Sequence, residues 1–94
     1  MIEAIIDGRE IQDRRQLHEV LAAQLHFPEW YGKNLDALYD CLPDIHEETV
    51  IRLLNLEELD EHLGDYTERF YRVISRAEAD TPWLHLSGKE NHMK

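Results

Sequence analysis

Hydrophobic positions along the chain alternate between dense β-branched runs and helically spaced ones. Ile2, Ala4, Ile5 and Ile6 crowd the opening residues, so residues 1–6 read as a strand, closed by the turn pair Asp7-Gly8. Leu17, Val20, Leu21 and Leu25 recur at helical spacing. They predict a helix over 14–25, with Asp13 as its N-cap and Phe27-Pro28 as its stop. Residues 28–33, PEWYGK, form an aromatic loop, and Asn34 caps a second helix over 35–42. TVIRLL, residues 49–54, reads as a buried strand. A short acidic helix follows over 56–63 and ends at Gly64. A longer helix begins at Asp65 or Thr67 and runs to about 79, with Phe70, Val73, Ile74 and Ala77 on one face. After Pro82, residues 83–86 form the last strand, which takes Trp83 and Leu84 into the core.

The order is βααβααβ. Strands joined by helical crossovers imply an α/β fold, a three-stranded parallel sheet with flanking helices. Residues 1–88 are read as a single domain and the polar residues 89–94 as a disordered tail.

Composition narrows the function. The 94 residues carry 20 acids against 10 lysines and arginines, a formal charge of −10. That balance argues against direct binding of nucleic acid or of an anionic membrane, and for a basic protein partner. The lone cysteine, Cys41, excludes an internal disulfide and a multi-cysteine metal cage, and reads as a buried structural thiol. No apolar run approaches the roughly 18 residues of a membrane helix. The opening lacks the charge and length pattern of a signal peptide, so the expected location is the cytoplasm. Six histidines, His18 and His92 among them, show no paired ligand spacing, and no metal or cofactor is expected. His18 reads as a packed or surface residue.

The informative segment is PEWYGKNLDALYDCL, residues 28–42. At 100° per residue Leu35, Leu38 and Leu42 share a core face, while Asp36 and Asp40 lie opposite. Two aspartates at i and i+4 repel, and the helix N-terminus favours the first of them alone. Across residues 28–48, six carboxylates face one lysine, which is half of the net charge of −10. Trp30, Tyr31 and Tyr39 are interleaved with these acids. Aromatic anchors ringed by one sign of charge suggest an interface for a basic partner. An ordinary amphipathic surface helix would show the same leucine and acid faces. An acid–base pair of Asp36 and Asp40 would need a pocket that an exposed helix does not offer, so the chain is not read as an enzyme.

The same segment carries a resemblance. With Ile6, Gly8 and Ile11 as an I-x-G-x-x-I opening, and Pro28 to Leu42 as PE-[aromatic]-YG-x-NLDAL-[aromatic]-DCL, nearly the whole chain resembles the barstar family. Its members are small intracellular inhibitors of the secreted ribonuclease barnase. The resemblance implies a barstar-like fold and a one-to-one complex with a basic barnase-type ribonuclease. In that complex a helix and its preceding loop plug the nuclease active site. It implies that Asp40 takes the place of the substrate phosphate and that Asp36 is a second contacting carboxylate. It makes Trp30 the aromatic that stacks on the nuclease, and puts Tyr39 where the family carries tryptophan. Gly32, Asn34 and Leu35 match positions that approach the partner. An acidic contact on the last long helix becomes Arg76 here, and the acid near Asp80 is kept. After Leu42, a Gly-Trp pair becomes Pro43-Asp44-Ile45, which rebuilds the loop carrying the contact at Ile45. Arg76 and this loop motivate an alternative reading, an acidic module of the same fold for a basic partner that is not a nuclease.

Overall fold

The computed structural model describes residues 1–87. Strands β1 (Ile2–Asp7), β2 (Thr49–Leu54) and β3 (Leu84–Ser87) form a parallel sheet in that order. Helices α1 (Arg14–Leu25) and α2 (Leu35–Cys41) connect the first pair, and α3 (Leu56–Leu63) and α4 (Asp65–Asp80) the second. The expected α/β fold and its βααβααβ order are present. The division at residue 88, the tail 89–94 and His92 lie outside the described residues.

The boundaries follow local chemistry. The Asp13 side chain accepts the Gln16 N–H at 2.8 Å and caps α1. His26 ends that helix in the left-handed region, at φ 61°. Gly64 separates α3 from α4 at φ 62° and ψ −139°, a conformation open essentially to glycine alone. The expected second helix ends at Cys41, because Pro43 has no N–H to continue the ladder, and Leu42–Asp44 tightens into a 3₁₀ turn. Trp83 corrects an expectation. It precedes β3, and its side chain is 41% exposed rather than buried. It sits in a turn that the Leu84 N–H closes on the Thr81 carbonyl at 3.1 Å, and Leu84, next in the chain, is the residue that is buried.

The core lies between the sheet and the helices. Ala4 and Ile6 of β1, Ile51 and Leu53 of β2, and Leu17, Leu21, Leu38, Leu59, Phe70 and Ile74 of the helices are all 0% exposed. β1 is an edge strand, and Gln24 of α1 covers part of that edge. Its side chain accepts the Ile5 N–H at 2.6 Å and donates to the Ile5 carbonyl at 2.7 Å. No helix among the described residues is long and apolar enough to cross a membrane.

Two positions anchor distant elements. Gly8 opens a 3₁₀ turn (Gly8–Glu10) that Asp7 caps. The Asn55 amide and the Arg9 N–H both donate to Asp7, at 2.8 and 3.0 Å, and hold its carboxyl below the ordinary value. The second anchor is His18, buried in α1. Its Nδ1 lies 2.6 Å from the Tyr31 hydroxyl and its Nε2 2.7 Å from the Tyr66 hydroxyl. A neutral imidazole satisfies both contacts, donating through one nitrogen and accepting at the other. Burial pushes its pKa from 6.5 to about 4 and pushes both tyrosine hydroxyls up.

These anchors yield two predictions. A Cβ at Gly8 would sit 2.2 Å from the Asn55 carbonyl oxygen and 2.7 Å from the Leu59 nitrogen, both backbone atoms. Gly8→Ala is therefore expected to cost about 2–3 kcal/mol in urea unfolding, the range of an overpacked core site. A cost below about 0.5 kcal/mol would refute the close approach. The second prediction concerns pH. The His18 ring takes a proton near 6.5 when unfolded and near about 4 when folded. Above pH 6.5 the ring is neutral in both states and its contribution to stability is complete. As pH falls from about 6.5 to about 4 the unfolded state binds the proton first, and stability drops by up to about 3 kcal/mol. Urea titrations across that window should show the slope, and His18→Gln should flatten it.

Candidate functional site

The acidic helix is held in place from within. The Asn34 side-chain oxygen accepts the Ala37 N–H at 2.8 Å, which caps α2 as the sequence implied. The Asn34 amide donates back to the Gly32 carbonyl at 3.3 Å, and Lys33 between them takes φ 58°. A Cβ at Gly32 would lie 3.3 Å from the Ala37 Cβ, so the loop rests directly on the first turn of α2. Leu38 and Leu42 are fully buried, and Leu35 is half-buried. α2 packs against α4. That packing turns Asp36, Tyr39 and Asp40 outward.

Asp36 and Asp40 are both exposed, and neither has an ion-pair partner among the described residues. Lys33, the loop's cation, lies 3.8 Å from Glu19 of α1 instead. Trp30 is 77% exposed, a large indole held in water at the head of the helix. Tyr39 is 36% exposed, and its hydroxyl donates to Asp80 at the end of α4 across 3.4 Å. Two hollows flank α2. A groove of about 710 Å³ is bordered by Asn34, Leu35, Asp36, Tyr39 and Arg76. A smaller one of about 210 Å³ is bordered by Trp30, Cys41 and Ile45. Asp40 borders neither. On the helical wheel it falls on the ridge between Asp36 and Tyr39 on one side and Cys41 on the other. Neither hollow is bordered by both carboxylates.

Several expectations need correction. Tyr31, grouped with the outward aromatics, is buried, and its ring lies 4.8 Å from that of Phe27. Its hydroxyl is committed to His18. Ile45, expected at the partner surface, is 9% exposed and belongs to the core. Its N–H donates to the Leu42 carbonyl at 3.1 Å, so the turn closes with Pro43 and Asp44 outward and Ile45 inward. Cys41 is buried, as read, and burial, helped by Asp44 and Asp40, raises its thiol pKa. His18 makes no metal-type cluster. Among the described residues no three His, Cys, Asp or Glu side chains gather as a metal site.

One assembly was not foreseen. Arg14, Lys33, Arg69 and Arg72 join Arg76 around the larger groove. The legible part of the signal was the i, i+3, i+7 spacing of Arg69, Arg72 and Arg76 on one helix face.

The chain matches the family model Barstar, described as barstar (barnase inhibitor), over residues 1–92. It is 38% identical over 81 residues to a Bacillus subtilis protein named "Putative ribonuclease inhibitor YrdF". That alignment covers 85% of this chain and 89% of the relative.

The capping geometry at the head of α2 can be tested by itself. Asn34→Ala removes the acceptor for the Ala37 N–H and the donor to Gly32, and should lower stability by about 1 kcal/mol in urea. Asn34→Asp, which keeps the acceptor, should recover most of that loss. Equal losses in both variants would count against the cap.

Proposed function

The chain belongs to the barstar family, and from that premise we propose that it inhibits a barnase-type ribonuclease rather than catalysing a reaction. One copy binds one nuclease and blocks its active site competitively. Asp40 enters as the phosphate mimic, with Asp36 beside it. Trp30 and Tyr39 pack on the rim, and Gly32, Asn34 and Leu35 bring the loop close. Arg76 and Asp80 meet the nuclease from α4. The inhibiting unit is the domain of residues 1–88, acting in the cytoplasm as protection against the nuclease.

The observation that carries this reading is the exposed, unpaired pair of carboxylates on a capped and core-anchored helix, with Trp30 standing in water beside it. A ribonuclease site presents fixed cations for an anionic phosphodiester. Carboxylates on a rigid helix satisfy them with charge-assisted hydrogen bonds. Rigidity matters because an interface formed from ordered groups loses little entropy on binding.

The test is calorimetric titration into a barnase-type ribonuclease, with RNA cleavage followed in the same buffer. Saturation at one-to-one with loss of cleavage is expected. Asp40→Ala should weaken binding by about 3–5 kcal/mol, the general cost of truncating one side of a buried charge pair, for which the barnase–barstar complex is itself a measured case. Association should slow steeply with added salt. Full cleavage at saturating protein, or an Asp40→Ala change below about 0.5 kcal/mol, would remove the reading.

A further inference from the structure

The larger groove carries a charge opposite to that of the chain. It lies where α1 begins and between α2 and α4. Arg14, Lys33, Arg69, Arg72 and Arg76 border it, five of the chain's ten lysines and arginines. Among the described residues, Asp36 is the one carboxylate on its wall. The wall is therefore net cationic, even with Glu19 and Glu68 paired to Lys33 and Arg72 beside it, in a chain whose formal charge is −10.

The cations are arranged rather than scattered. Arg69, Arg72 and Arg76 line one face of α4 over about 10 Å of helix axis. The Arg14 and Arg69 guanidinium carbons lie 4.5 and 5.5 Å from the centroid of the same Tyr66 ring. Cation–π attraction to this ring holds both groups beside the groove. Neither they nor Arg76 has an ion-pair partner among the described residues. Lys33 and Arg72 pair with Glu19 and Glu68, but these are exposed pairs that a better anion displaces at little cost. The remaining wall is Asn34 with the apolar and aromatic Leu35, Val73, Tyr39 and Tyr66. A volume of about 710 Å³ is that of a small-ligand site.

We propose that this groove binds a nucleoside polyphosphate, with the phosphate chain along the α4 arginines and the base against Leu35 and Tyr39. A triphosphate concentrates about four negative charges over a few ångströms, which suits a wall of closely spaced cations, and guanidinium forks bind phosphate oxygens bidentately. Carboxylates of an acidic peptide would be spaced about 7 Å apart along one face of a strand and would leave the apolar wall bare. The groove shares Asn34, Leu35, Asp36, Tyr39 and Arg76 with the surface assigned above to the nuclease, but nucleotide binding there does not depend on that reading.

The experiment is calorimetric titration of the full chain at low salt with ATP, inorganic tripolyphosphate and hexaglutamate. ATP should bind most tightly. Tyr39→Ala should reduce ATP to the affinity of tripolyphosphate. Arg69→Ala and Arg76→Ala should each weaken ATP about tenfold, and Arg76 touches no structural partner that its loss would unfold. Asp36→Asn should strengthen binding, whereas Glu57→Gln, an equal charge change on α3, should leave it unchanged. No saturation by about 5 mM ATP would overturn the proposal, as would an affinity indifferent to Arg76→Ala. Tripolyphosphate as tight as ATP would overturn the base contact. Hexaglutamate binding tightest would make the groove a protein-docking site instead.

Discussion

The buried contact between His18 and two tyrosine hydroxyls is the interaction on which the working face depends. It joins α1 to the loop before α2 through Tyr31, and to α4 through Tyr66. Burying an imidazole is costly unless both nitrogens are satisfied, and here both are. The return is positional. Tyr31 is drawn inward, so its neighbour Trp30 is left in water, and the chain arrives at Gly32 in register to rest on Ala37. On the other side Tyr66 is held with its ring edge toward His18 and its face under two guanidinium groups. One neutral histidine thus orders both the acidic ridge and the cationic groove.

These two surfaces share α2 but oppose each other in charge. Net charge acts at long range and decides which partners approach, whereas local charge decides what stays. A formal charge of −10 favours the approach of cations over that of polyanions. Within a few ångströms of α4, the same chain presents arginines that favour a compact anion. Asp36 faces the groove and Tyr39 forms part of its wall, so an occupant there would alter the electrostatics of the ridge as well. The Tyr39–Asp80 hydrogen bond ties α2 to the end of α4 across this boundary.

The periodic parts of this architecture were legible without coordinates. Apolar spacing located every strand and helix to within about two residues, because each element buries one face and period reports that face. Asn34 and Asp13 were readable as caps, and Gly64 as a stop, since each acts on its own neighbours. What escaped depends on contacts between distant residues. Nothing near Trp30 and Tyr31 says which ring goes inward; the deciding hydroxyl partner, His18, lies in another element. Ile45 was assigned outward by the resemblance alone, and a turn closed on Leu42 took it inward. The cationic groove draws on α1, the loop and α4. The overall charge of the chain pointed away from it.

Shape, finally, separates the carboxylates from the arginines. A nuclease must surround a phosphodiester, so its site is a cleft, and only a convex group can enter it. Asp40 stands on a ridge between two hollows, on a helix whose ends and inner face are fully engaged. A carboxylate so placed is poorly suited to collect a substrate of its own, because it has no walls to exclude water or orient a reactant. It is well suited to be collected. The arginines have the reverse geometry, converging on a concavity that a separate molecule can fill. The charges on a 94-residue chain can therefore serve two kinds of recognition. The packing of α2 against α4 makes one face project while the seam beside it stays open.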